Sequence, residues 1–210
     1  MAWSRPQLGH RSIRFAASAV SVLADAALGI GLARAGTRVA SASVTAATAG
    51  ATLVVVAEIG GQRPPQPVGE RSVGAVLRSS AATVGWTGLA WTAATLAEDR
   101  NLRKAPLGPA LAGLQGITLV TGSTWPNRVA SGVAQVATGV VLAGAAARHE
   151  DPVGGALALT SSGLIALARV TGWSRNADAR TVSAVLDAGA RVAMATVAGR
   201  LAALGDEDLF

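Results

Sequence analysis

Cysteine and tyrosine are missing from the 210 residues, lysine occurs once (Lys104), and the aromatic share is only 3%. Without cysteine there is no disulfide framework, no iron–sulfur centre and no thiolate-ligated zinc. Charge is scarce as well, at 14% of residues, against roughly 25% in an ordinary soluble domain. Mean hydropathy is +0.43, and a chain this apolar and this weakly charged is not a disordered one.

Groups that carry out chemistry are also few. The two histidines are His10 and His149, and a Ser-His-Asp triad requires one of them within hydrogen-bond reach of a serine. His149 is followed directly by Glu150 and Asp151, and such a run reads as a solvated loop rather than a metal site. The pair Glu98-Asp99 reads the same way. Gly29-Ile30-Gly31 and Gly60-Gly61 lack the strand–loop–helix setting of a dinucleotide fingerprint, and no phosphate-binding GK[ST] loop occurs. The sequence therefore assigns no catalytic, cofactor-binding or metal residue, and it leans away from an enzyme. No stretch carries a family motif.

What is present is an arrangement of charge. Lys and Arg number 18 against 12 Asp and Glu, a net charge of +6. A nucleic-acid binder gathers such charge on one face or in runs. Here the arginines come singly, beside the ends of long uncharged stretches, as residues flanking membrane spans do. Five intervals contain no charge at all: 39–57, 79–97, 105–127, 129–147 and 152–168. Each is long enough to cross a hydrocarbon core of about 30 Å at about 1.5 Å per residue. A sixth interval, 15–33, is interrupted only by Asp25.

These stretches are built from Ala, Val, Gly, Ser and Thr. Small residues recur every four positions at Ser43, Ala47 and Ala51, at Gly139, Ala143 and Ala147, and at Gly154, Ala158 and Ser162. Such ridges let helices approach closely in lipid, where no hydrophobic force draws them together. Residues 60–67 (GGQRPPQP) form an extended linker. Residues 122–127 read as a turn, and Pro152 opens the following helix.

The expected fold is all-α: a small multi-pass bundle of six spans in three helical hairpins, covering 1–170. A C-terminal amphipathic helix and acidic end follow over 171–210. In that tail Val182, Val185, Leu186, Val192, Ala193 and Val197 share one side, with Arg180, Asp187 and Arg191 opposite. Asp187 and Arg191 disfavour a seventh span; Asp178 is placed to cap the helix and Gly205 to end it. Resemblance among 27–38, 87–100 and 138–151 hints at a repeat.

Counting Lys and Arg on alternate sides gives twelve against six. The expected location is the plasma membrane, with both termini cytoplasmic. The preference for arginine over lysine suits a high-GC bacterium. Two other readings of residues 1–26 remain open. A basic start, an apolar run and Ala24-Asp25-Ala26 outline a secretory signal peptide, and the early arginines resemble a mitochondrial presequence.

Five residues within the spans are candidates for function. Asp25 is a carboxylate near mid-membrane, a position that often serves ion pathways, unless 15–33 stays out of the bilayer. Gln115 and Gln135 suit bonds between helices. Trp86 and Trp91 sit mid-segment and either fill the core or wall an apolar cavity, whereas Trp125 and Trp173 fall at segment ends, as interfacial anchors do.

The leading functional expectation is a non-catalytic accessory or structural subunit packing against partner helices. Its partners would be the lipid bilayer, other membrane proteins or further copies of itself, with no cofactor and no nucleic acid. The alternatives are a small-solute or ion transporter using Asp25, and a soluble or secreted alanine-rich helical protein.

Overall fold

The computed structural model describes residues 6–34, 85–94, 96–97, 110–111, 113–115, 125–174 and 176–207. Among the described residues the fold is all-helical, with no strand. Four long helices dominate: α1 (Pro6–Arg34), α2 (Trp125–Arg148), α3 (Pro152–Gly172) and α4 (Ala177–Glu207). Residues 85–94 and 110–111 are also helical and fall inside the intervals 79–97 and 105–127. The interval 39–57 and the linker 60–67 lie outside the described residues.

The helix ends follow local chemistry. The Asp151 carboxylate accepts the Gly154 backbone N–H at 2.9 Å, and Pro152 occupies the first turn of α3, where a missing N–H costs nothing. The Asn176 side chain accepts the Asp178 N–H at 2.8 Å. Asn176 thus caps α4 in the place expected of Asp178, which instead lies in the first turn. Two boundaries differ from the sequence expectation. Helix α2 begins at Trp125, inside the expected turn, because Pro126 is tolerated in a first turn. Helix α4 runs past Gly205 to Glu207.

Helices α2 and α3 form an antiparallel hairpin closed by a tight turn at 149–151, where Glu150 adopts a positive φ of 51°. The two small-residue ridges meet inside it. A Cβ on Gly139 would strike the Ser162 hydroxyl and the Met194 methyl, and would lie 3.0 Å from the Ala158 carbonyl oxygen. The Ser162 hydroxyl donates across the interface to the Val136 carbonyl at 3.1 Å. Close backbone approach through glycine, alanine and serine therefore joins this pair.

Helix α4 returns antiparallel along α3. The Ser183 hydroxyl donates to the Ala168 carbonyl at 2.7 Å near one end, and Arg200 grips Asp151 at the other. On its remaining side α4 packs against α1. One apolar cluster joins the four long helices and residues 85–94 and 96–97, including Leu28 of α1, Trp86, Leu142 of α2, Ile165 of α3 and Met194 of α4. The tail helix is thus part of the shared core.

The face that α4 turns inward is a correction to the sequence reading. Of the residues expected to share one apolar side, Val182 and Val185 are 49% and 47% exposed and Val197 is buried, while Arg191, expected opposite them, is buried as well. The reason is electrostatic. Asp187 and Arg191 find opposite charges on neighbouring helices, which a pattern read along one helix does not contain.

Four described helices are long and apolar enough to cross a membrane: Ser12–Ile30, Trp125–Arg148, Pro152–Gly172 and Asp178–Leu204. The last is the segment for which a span was disfavoured. Large apolar side chains point outward on all of them, among them Leu23, Val133, Leu159 and Val170. The interior meanwhile holds Asp25, Thr138, Gln115, Gln135, Ser161, Ser162 and Arg191. Most of the buried hydroxyls bond to the carbonyl one turn back in their own helix, as Thr138 does to Ala134 at 2.8 Å.

A buried charge relay as the candidate functional site

Asp25 sits well within α1, flanked by Ala24 and Ala26, and its side chain is only 4% exposed. The helix passes unbroken through the Ala24-Asp25-Ala26 stretch. Arg191, near the middle of α4, donates from Nη1 to Asp25 Oδ2 at 2.9 Å. Its guanidinium also lies 5.1 Å from the centroid of the Trp86 ring, in cation–π geometry. The arginine that meets α1 is thus held from its other side by the helical stretch 85–94.

The charges continue in alternation. Arg191 Nε lies 3.7 Å from Asp187 Oδ2, one turn earlier on α4. The other Asp187 oxygen accepts from Arg169 of α3. Arg169 in turn donates from Nε to the Gln135 side-chain oxygen of α2 at 2.6 Å. Gln135 donates to the Gln115 oxygen at 3.2 Å, and that oxygen also accepts from Ser131 at 3.1 Å. The order Asp25, Arg191, Asp187, Arg169, Gln135, Gln115 runs from a buried carboxylate to side chains that are 25% and 29% exposed at Asp187 and Arg169. Two acids and two bases leave the four charged members neutral as a set.

One buried acceptor of this set is left over. Asp25 Oδ1 is buried and has no hydrogen-bond partner. A buried acceptor without a donor is costly, and more so for a charged group. The arrangement can therefore keep charges inside an apolar bundle and present one open acceptor. Among the described residues no group of three His, Asp or Glu is placed to hold a metal ion.

A second Asp–Arg pair has a different character. At the far end of the α3–α4 hairpin, Arg200 donates from Nε and Nη2 to both Asp151 oxygens, at 3.1 and 3.0 Å. Asp151 also caps α3. The Arg200 hydrogen bonds, and after them the Gly154 N–H, hold its carboxyl below the usual carboxylate range.

Of the candidates named from sequence, the structure brings Asp25 and Trp86 together around Arg191, and Gln115 and Gln135 together at the other end of the relay. Trp86 is 2% exposed and belongs to the core cluster. Trp91 is half-buried. Trp125 and Trp173, at the start of α2 and just past the end of α3, pack edge to face with ring centroids 4.4 Å apart. Sequence reasoning missed Arg191, Asp187 and Arg169. The signal available was an acid–base pair four residues apart in an otherwise uncharged stretch, 181–190 and beyond, with no partner for Asp25 named. No known protein family, curated protein or solved structure matches the chain.

Proposed function

We propose that this is a multi-pass membrane protein of the plasma membrane, non-catalytic, acting as an accessory or structural subunit through packed helices. The observation that carries this reading is the aliphatic outer face of the long helices, set against a buried ion pair. Leu23 is 70% exposed and Val170 61%, while Arg191 is 6% exposed. A soluble protein exposes apolar residues singly and rarely buries charge, whereas lipid solvates the outward aliphatic residues and pushes ionisable ones inward into pairs. The mutual neutralisation of Asp25, Arg191, Asp187 and Arg169 supports a fastening role for the charges.

In this proposal α4 also crosses the bilayer, because it runs beside α3 for the length of that helix. Trp125, Arg128, Trp173 and Arg180 then gather at one face, and Arg148, Glu150 and Asp151 at the other. The arginine-rich face is cytoplasmic by the positive-inside rule. A crossing α4 carries the acidic end at 206–208 to the opposite face, so our topology keeps the N-terminus cytoplasmic and moves the C-terminus outside. The earlier expectation of two cytoplasmic termini treated this helix as peripheral. Reporter fusions before Arg14 and after Phe210 test it. A split result supports the crossing of α4, and two cytoplasmic reports refute it.

A second reading, ion transport through Asp25, is favoured by the unpartnered Oδ1 at the buried end of a charged chain. Asp25→Asn in reconstituted vesicles separates the two readings. A transporter loses its flux while remaining folded, and an accessory protein shows no flux to lose.

A further inference from the structure

We propose that Asp25 is a proton-binding site, and that its protonation leaves Asp187 as the one carboxylate between Arg191 and Arg169. This rests on the ion-handling reading of Asp25 and names the ion.

The geometry favours a proton over a metal cation. A metal ion takes several oxygen ligands, but among the described residues Asp25 Oδ1 is the one buried side-chain oxygen without a hydrogen bond, and the Arg191 guanidinium already occupies Oδ2 at 2.9 Å. A proton requires one oxygen and no coordination shell. The bond formed is Oδ1–H, the proton comes from solvent hydronium, and Asp25 passes from negative to neutral.

That change takes away one carboxylate partner of Arg191 and leaves another. Asp187 Oδ2 is already in ion-pair range of Arg191 Nε at 3.7 Å, while Asp187 Oδ1 pairs with Arg169. In the charged state two carboxylates face two guanidinium groups. In the protonated state Asp187 alone lies between Arg191 and Arg169, and the set carries one surplus positive charge. That charge is shared between Arg191, which is 8% exposed, and Arg169, which is 29% exposed. The more exposed end bears it at less cost, because an unpaired charge is hardest to hold in an apolar interior.

The groups facing Asp25 are few. Helix α4 supplies Arg191 and, behind it, Asp187; α3 supplies Arg169 through Asp187. Residues 85–94 contribute the Trp86 ring against Arg191, and α2 contributes Gln135 against Arg169. Neither Trp86 nor Gln135 titrates, so among the described residues the change involves one proton acceptor and three charges.

Infrared difference spectroscopy on the full chain in lipid vesicles tests this, with the buffer acidified from roughly pH 8 to pH 4. The wild type should develop the carbonyl stretch of a weakly hydrogen-bonded carboxylic acid. Carboxyl-13C aspartate should displace that band, which identifies an aspartate without any substitution. Asp25→Asn should abolish it. Asp187→Asn removes the other carboxylate beside Arg191, so the band should appear at a pH lower by about one unit, a shift that a purely structural Asp187 would not produce. A vesicle-bound wild type with no such band, or a band that survives in Asp25→Asn, overturns the proposal. A band that behaves as described supports it even where proton flux is absent, in which case only the transport reading fails.

Discussion

Among the Asp–Arg pairs that tie α4 to its neighbours, two are built to different ends. Asp151 and Arg200 form a saturated clasp. Both carboxylate oxygens are bonded to one guanidinium, the carboxylate also caps α3, and the arginine is 49% exposed. Asp25 and Arg191 form an unsaturated pair. They share one hydrogen bond, leave Oδ1 empty, and expose 4% and 8% of their side chains. Surface pairs contribute little to stability, whereas a buried pair is poor at stabilising yet damaging when broken. A clasp needs every acceptor filled; a site that binds something needs one left open.

The sharpest way to break the comparison is Arg191→Ala. It strands the Asp25 carboxylate and removes the cation from the Trp86 face, and the loss of stability should be about 3–5 kcal/mol. Thermal unfolding in detergent measures it. Adding Asp25→Asn to that variant should recover part of the loss, since the stranded charge goes with it. Recovery of nothing would mean that Arg191 acts by packing alone.

Next in size is Gly139→Ala. Its Cβ would meet Ser162, Met194 and the Ala158 carbonyl, and overpacking of this kind costs about 1–3 kcal/mol. Gly144 has open space at the same place, so Gly144→Ala should change stability by less than about 0.5 kcal/mol. Equal effects from the two would refute close backbone packing of α2 on α3.

Asp151→Asn should lower the unfolding temperature by less than Gly139→Ala does, because Arg200 keeps access to water. The pH dependence sharpens this. The folded-state carboxyl of Asp151 lies below its unfolded value. Its contribution is therefore present at neutral pH and is lost as the pH falls through the depressed folded value. A melting curve taken against pH should show this acid loss in the wild type and not in Asp151→Asn. The smallest effect is expected from Leu23→Ala on the outer face of α1, under about 0.5 kcal/mol in detergent.

The spans of the α2–α3 hairpin were legible in the spacing of charge, because Arg128, Arg148, Asp151 and Arg169 bracket two uncharged intervals that became these helices. The N-cap at Asp151 was only half legible. Pro152 announced the start of a helix, but nothing in the sequence says that the same carboxylate meets Arg200 49 residues later. The facing of α4 was misread for a related physical reason. Amphipathicity assigns polar residues to water, and that holds only where water is the solvent outside. When lipid takes its place, charges turn to the interior, and their partners are set by tertiary contact. Arg191 and Asp25 are 166 residues apart, so each is conspicuous in the sequence while the pair is not. Asp25 stands alone in an uncharged run, whereas Arg191 has an acid, Asp187, four residues away on its own helix.

Carbonate extraction of membranes from cells expressing the chain tests the membrane-spanning bundle most directly. Alkaline carbonate strips peripheral proteins and leaves spanning ones behind. The aliphatic outer face, with Leu23 and Val170 outward and Arg191 inward, predicts that the protein stays in the membrane pellet and leaves it only with detergent. Recovery in the soluble fraction without detergent would contradict the account, because those outward aliphatic side chains would then face water.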